Sequence, residues 1–287
     1  MVETYGGQES RVYFIVESSY GVTPTNPVMI GVNAESFEPE LDPSLIKVMG
    51  VGSRDPQALL KGLRKPHLKF SHTLPSAAPI TLIQHATTLN SLSVQALYYK
   101  GLFASATDII SLLHLGCRID KLSVECSAES YIKATVELIG QDLTVGTAKI
   151  TGATYGDYAG AVPFYQSSVQ RGAADGSSLT AITRVTDWKF SIENHLKEVP
   201  VIGSTAYLLK YLQARQRVLS GELTFEFESK AEFDDVISDA EFSLSFGLAS
   251  NSALFKYCKW NKVNAPTKIE DLVSLKASFV ARDVLMS

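Results

Sequence analysis

Apolar and polar residues alternate with a period of two along several stretches of this chain. That alternation marks strands with one buried face. In GELTFEFES, Leu223, Phe225 and Phe227 point one way, while Glu222, Thr224, Glu226 and Glu228 point the other. EFSLSFGL repeats the pattern with Phe242, Leu244, Phe246 and Leu248. KLSVEC and YIKATVELI alternate on either side of SAES and predict a hairpin, and LVSLKASFVARD predicts a late strand. Helical signals are few. Ser229, with Glu232 three residues on, predicts a capping box before a short helix in SKAEFDDVISDAEF. APITLIQHATTLN predicts a counterpart helix opening after Pro79. The Gly-, Ala- and Ser-rich stretch 152–178 has no clear period and reads as a linker or a long exposed loop.

The two sides of that stretch can be overlaid. Leu68, Phe70 and His72 fall on Leu223, Phe225 and Phe227 at one constant offset, and Phe37 falls near Phe190. KATVELIGQD, from Lys133, echoes KASFVARD, from Lys276. Each side reads strand, long connection, strand, short helix, strand, hairpin. A repeat this long implies domains in tandem, not a solenoid. The expected fold is mostly β: sandwiches or rolled antiparallel sheets, each with one short helix. The expected division is residues 1–150, a linker at 151–179, and residues 180–287.

Composition narrows the function. At 45% hydrophobic and 20% charged, the chain can build a packed core. Its net charge of -4 divides evenly between residues 1–150 and 151–287, so neither half has the positive footprint of a nucleic-acid gripper. The densest basic run, Lys61, Arg64, Lys65 and Lys69, reads as a solvated loop or a partner for acidic groups. Three cysteines argue against a disulfide-stapled fold and for a reducing compartment. The start lacks the pattern of a signal peptide, and no apolar run is long enough to predict a membrane span.

Candidate chemistry is sparse. His67 and His72 face opposite sides of a predicted strand, and the other histidines, His85, His114 and His195, are scattered. No metal-ligand spacing, phosphate loop or nucleophile elbow occurs. Cys126 alternates with Leu122 and Val124 and reads as core, and Asp234 and Asp235 read as a solvated helix face. No catalytic, cofactor-binding or metal-binding residue is expected.

Several segments, in order, resemble a known family, the tail tube proteins of long-tailed bacterial and archaeal viruses. VESSYGVTPTNPVMI resembles the family's acidic, Gly-Thr-Pro-rich opening segment. GCRIDKLSVECSAESYIKATVELIGQDL resembles its central hairpin, although SAES lacks the glycines often found there. VTDWKFSIENHLKEV resembles its strand ending in an Asn-centred turn, and RVLSGELTFEF the strand that follows. The resemblance implies a virion structural protein, assembled in the host cytoplasm into stacked rings through which the genome passes. Rings of this family are lined by six tube domains, so two domains per chain imply three chains, or six if one domain only decorates the exterior. Implied partners are the chain itself, the tape measure, terminator and baseplate proteins, and DNA transiently in the lumen, with no membrane.

The long connections, roughly 39–65 and 196–217, carry more apolar surface than solvated loops need. They are expected to reach a neighbouring subunit or ring through Leu45, Ile46, Val48, Leu59, Leu60, Tyr207, Leu208, Leu209, Tyr211 and Leu212. The alternative is a helix packed on its own domain. Candidate lumen-facing residues are Lys69, Ser71, Thr73, Glu222, Glu226 and Glu228, on a mixed or mildly acidic wall that lets DNA slide. Rival readings are another self-assembling virion β protein, of baseplate or decoration, and a carbohydrate-binding or enzymatic β-sandwich.

Overall fold

The alternating segments form strands. The computed structural model describes residues 4–75, 81–101, 108–158, 160–202, 208–249, 251–266 and 273–286. The first half contains β1 (Arg11–Val16), β2 (Val28–Val32), β3 (Ala34–Asp42), β4 (Ile46–Val48), β5 (Ala58–Leu60) and β6 (Lys65–Thr73). Helix α1 (Thr81–Thr88) follows, then β7 (Leu92–Tyr99), β8 (Ile109–Ser127), β9 (Lys133–Ile139) and β10 (Asp142–Gly146). After β11 (Thr154–Gly156) come β12 (Ser167–Gly172), β13 (Thr180–Ala181), β14 (Val185–Glu193), β15 (Lys197–Val199), β16 (Tyr211–Gln213) and β17 (Val218–Glu226). Helix α2 (Ala231–Ser238), β18 (Phe242–Leu248), β19 (Asn251–Asn264), β20 (Ser274–Ala281) and β21 (Asp283–Met286) complete the chain.

The order of pairing recurs. β1 pairs with β2 and β7, β7 with β8, β8 with β9 and β10, β9 with β6, and β6 with β3. In the second half β12 pairs with β13 and β18, β18 with β19, β19 with β20 and β21, β20 with β17, and β17 with β14. The short hairpins β4–β5 and β15–β16 interrupt the two halves at the same place. All these pairings are antiparallel, whereas β11 adds to β2 in parallel.

Backbone irregularities recur as well. β3 and β14 are bulged near their starts, between Ala34 and Ser36 and between Val185 and Asp187. β8 and β19 are bulged between Ile119 and Lys121 and between Trp260 and Lys262. Left-handed residues stand at matching places: Ser44 and His195 after β3 and β14, Leu89 and Asp239 after α1 and α2, and Gly116 and Tyr257 within β8 and β19. At Gly116 (φ 63°) a Cβ would lie 2.7 Å from that of Gln141, so this bend has no room for a side chain. At Tyr257 (φ 53°) the ring instead lies outward under the Arg282 guanidinium, 4.4 Å away.

At these bends β8 and β19 pass from an outer sheet into a central one. The central sheet runs β3-β6-β9-β8-β14-β17-β20-β19, antiparallel throughout. Its middle seam joins the halves, with β8 pairing β14 from Lys121 opposite Glu193 to Ser127 opposite Asp187. Asn194, just past the seam, is buried, and its side chain donates to the carbonyls of Ala86 (3.0 Å) and Ile119 (2.9 Å). Its backbone N–H donates to the Asp120 carbonyl at 2.7 Å. One hydrophobic cluster spans both halves, from Leu68, Phe70 and Leu122 to Trp188, Phe190, Phe246, Phe255 and Phe279.

Several expectations are corrected. The stretch 152–178, expected as a linker or exposed loop, contains β11 and β12 and buries Val162 and Val169. The repeat is two residues out of step. Phe70 pairs with Val136 beside Leu122, and Leu223 pairs with Ala277 beside Val263. Phe70, not Leu68, therefore corresponds to Leu223, and Phe37 to Trp188. Phe227 lies beyond β17, half-exposed, because the chain turns there into α2. The predicted capping box is not formed. Lys230 is the N-cap without a side-chain bond, and Glu232 is buried in an ion pair with Arg184. A buried carboxylate needs a cation more than the helix end needs a cap. α1 forms where predicted, while Pro79 lies outside the described residues.

Three histidines are buried among the described residues, His72, His85 and His114, and burial lowers the pKa of each. Burial pushes His72 down to about 4 against a weaker opposing bond to the Thr73 carbonyl, and pushes His114 down to about 4 as well. Both are neutral when folded and accept protons on unfolding once the pH is below their ordinary 6.5. Their penalty is absent above 6.5 and grows as the pH falls towards 4, reaching on the order of 3 kcal/mol for each. Urea unfolding at pH 7 and pH 5 is expected to show lower stability at pH 5, with a smaller drop in His114→Gln.

Candidate assembly surface

The central sheet buries one face and exposes the other, and the exposed face is built as rows of paired charges. Along one row Lys69 stands beside Glu137, Glu137 beside Lys121 and Lys121 beside Glu193. Along another Lys133 stands beside Glu125, Glu125 beside Lys189 and Lys189 beside Glu222. The ion pairs Lys69–Glu137 (3.2 Å), Lys121–Glu193 (2.6 Å) and Lys189–Glu125 (3.1 Å) close within these rows. Between them runs a hydroxyl row: Ser36, Ser71, Thr135, Ser123, Ser191 and Ser220. Exposed pairs of this kind stabilise by at most about 1 kcal/mol each. Their main effect is to leave few cations without a neighbouring carboxylate.

Four of the residues singled out from sequence, Lys69, Ser71, Glu222 and Glu226, lie on this face. Thr73 does not. It is buried, donates to the Gly160 carbonyl at 2.9 Å and accepts from Asn33. Glu228 lies beyond β17, in the turn to α2.

The two hairpin arms behave differently. β15–β16 is folded back on the first half, where Leu209 and Leu212 are buried with Ile139, and Leu63 and Leu196 pack beside them. Arg118 donates to the Leu212 carbonyl (2.8 Å), Gln141 donates to that of Leu209 (2.8 Å), and Glu198 pairs with Lys65 (2.7 Å). Leu209 and Leu212, expected to reach another subunit, are instead spent inside the chain. Sequence shows their apolarity but not which surface covers them. Leu208 is half-buried, Tyr211 is exposed, and Tyr207 lies outside the described residues. In the β4–β5 arm, by contrast, Leu45, Ile46, Val48, Leu59 and Leu60 are all exposed.

Two structural features escaped the sequence reading. One is Glu17, whose carboxylate accepts from the N–H groups of Gly21 and Gly116, both at 2.7 Å, and from Ser93 Oγ at 2.9 Å. It pins the opening loop against the bend of β8, and only its place before SSYG signalled it. The other is the depression of about 720 Å³ between the β1–β2 pair and the start of β3. Its carboxylates do not converge on a common point. Glu35 is held by Lys133 and Tyr131, and Asp157 accepts from Tyr13 at 2.7 Å. Among the described residues no group of His, Cys, Asp and Glu is arranged to hold a metal ion, and no helix is long and apolar enough to cross a membrane.

A family model described as phage tail tube protein matches residues 7–281, nearly the whole chain. The chain belongs to the phage tail tube protein family. It is therefore a structural, non-enzymatic component of the phage tail, part of the virion. Tube proteins assemble with copies of themselves and with other tail proteins. Among solved structures, a chain of the anti-feeding prophage (AFP) baseplate, determined by cryo-EM and 6-fold symmetrised, is similar over 52% of this chain and 100% of its own. The identity is 13% and the TM-score 0.38. No curated protein matches the chain.

Proposed function

We propose that the chain carries two tube modules in tandem and that three chains close one ring of the tail tube, with the polar face of the central sheet lining the lumen. The observation that carries this reading is the recurrence of strand pairings, bulges and left-handed residues in the two halves. In this reading the first module takes residues 1–150, with β11 added to its β2. The second begins near Phe164 and not at 180, because β12 pairs with β18. Each module supplies four strands of the central sheet, so three chains supply six wall segments. β3 and β19, the two edges of that sheet, are the surfaces that continue it from chain to chain. A free sheet edge offers a row of unpaired backbone groups, and a head-to-tail contact closes when its rotation permits.

The alternating charges of the polar face suit a conduit. Each phosphate held by an uncompensated cation would add salt-dependent affinity. Here Lys69, Lys121, Lys133 and Lys189 each have a carboxylate neighbour, and beyond Glu222 the row continues through Ser278 to Lys262 at the sheet edge. DNA is expected to slide past such a wall. Purified protein examined by electron microscopy, with native mass measured beside it, tests the stoichiometry. Rings of three chains are the expected result. Rings of six would overturn it and assign one module to the exterior.

A further inference from the structure

The seam between the halves is a contact between two like modules, and the chain leaves over both of the surfaces needed to make it again. We propose that a second copy of this chain docks at its ends as the two modules dock inside it, with β19 of one copy pairing β3 of the next in a fixed register. In that register Lys262 stands opposite Asp42, and the β4–β5 arm lies on Val280. This rests on the reading of the chain as a ring-forming tandem of tube modules.

The register follows from the pairings. Lys121 and Lys262 each stand just after the bulge in their strand, opposite Glu137 of β9 and Ser278 of β20. Glu193 and Asp42 each end their strand, two residues before the left-handed His195 and Ser44. Inside the chain Lys121 pairs Glu193 at 2.6 Å. Lys262 and Asp42 carry the same charges at the same places, and both are exposed.

The arm follows from the same correspondence. Leu196 and Leu212 of the second arm pack with Ile139, which ends the paired part of β9. Their counterparts in the first arm are Leu45 and Leu59, and the counterpart of Ile139 is Val280, opposite Lys259 as Ile139 is opposite Arg118. Leu45 (53%), Leu59 (60%) and Val280 (44%) are all exposed. An apolar residue on the polar face of a sheet, with a matching apolar arm left uncovered, fits burial against another copy.

Cross-linking tests both contacts. Residues directly opposite in an antiparallel pair have Cβ atoms about 4.5–5.5 Å apart. Asp42→Cys with Lys262→Cys is therefore expected to form disulfides between chains on mild oxidation. Within one chain these positions lie at opposite edges of the central sheet, about 30 Å apart at the usual strand spacing, so no internal bond can form. The native cysteines are buried and free. Leu59→Cys with Val280→Cys, treated with a short bifunctional maleimide, tests the arm. Both double variants are expected to give a denaturing-gel ladder that ends at three chains. Rings or tubes visible by electron microscopy without either ladder would overturn the proposed contacts and leave the ring reading standing. A ladder from the first variant alone would overturn the placement of the arm. A protein that stays monomeric at every concentration would overturn the ring reading and the contacts with it.

Discussion

Phe190→Ala is expected to lower the unfolding free energy by about 3–5 kcal/mol, the usual cost of emptying a buried aromatic site. Phe190 is fully buried and stacks on Trp188 at 5.8 Å, with Phe246 at 5.2 Å and Phe255 at 5.1 Å. It also sits on the seam, opposite Val124 of β8. The cavity would therefore open where the two halves share their core. Collapse around it is limited, because the neighbouring rings are held by strands on both sides. Urea titration followed by tryptophan fluorescence should show a lower midpoint with an unchanged slope, the sign of lost stability in one cooperative unit. A second transition appearing in Phe190→Ala would mean that the halves unfold separately and that the seam is not part of a common core.

The second large effect is on assembly. Val280→Asp and Leu59→Asp are each expected to leave the isolated chain as stable as before and to reduce ring formation more than tenfold. Both side chains are exposed in the chain, where polar substitution changes stability by only about 0.5 kcal/mol. In the docked state each would place a carboxylate in an apolar contact without a partner, at a cost of several kcal/mol. A tenfold change in association corresponds to about 1.4 kcal/mol, well inside that cost. Sedimentation velocity measures the assembled fraction, and circular dichroism checks the fold. Ile139→Asp is the control, because Ile139 is covered by the chain's own arm. That variant should lose stability as a monomer, which the other two should not. Equal assembly by Val280→Asp and the parent would show that this face is not a contact.

The strands were legible because one-sided burial imposes a period of two, and β17, β18 and β20 carry it openly. The same period explains the register error. Moving an alternating strand by two residues changes no side chain's face, so Leu68 matched Leu223 as well as Phe70 does. Only the partners across the ladder, Val136 and Ala277, separate the two alignments, and they lie far away in sequence. The strands β11 and β12 were missed for a related reason. They are short, and β12 is fixed by pairing with β18, more than seventy residues on. The arms were legible as apolar but not as to their fate. Leu212 and Leu59 look alike in sequence, yet one is buried and the other exposed, because only one has an apolar surface of its own chain, at Ile139, within reach. The paired charges of the polar face could not be read at all before the strand order was known.

A further difference between the two halves bears on how a finished tube would break. Asn194, which closes the internal seam with three hydrogen bonds, has Pro43 as its counterpart, just before the left-handed Ser44 as Asn194 is before His195. Proline has neither the amide side chain nor the backbone N–H to make those bonds. In a ring of three chains, riveted and unriveted joints would alternate around the circumference. A tube strained by bending or by pressure from within would then part lengthwise at every second joint, shedding intact pairs of modules and no single ones.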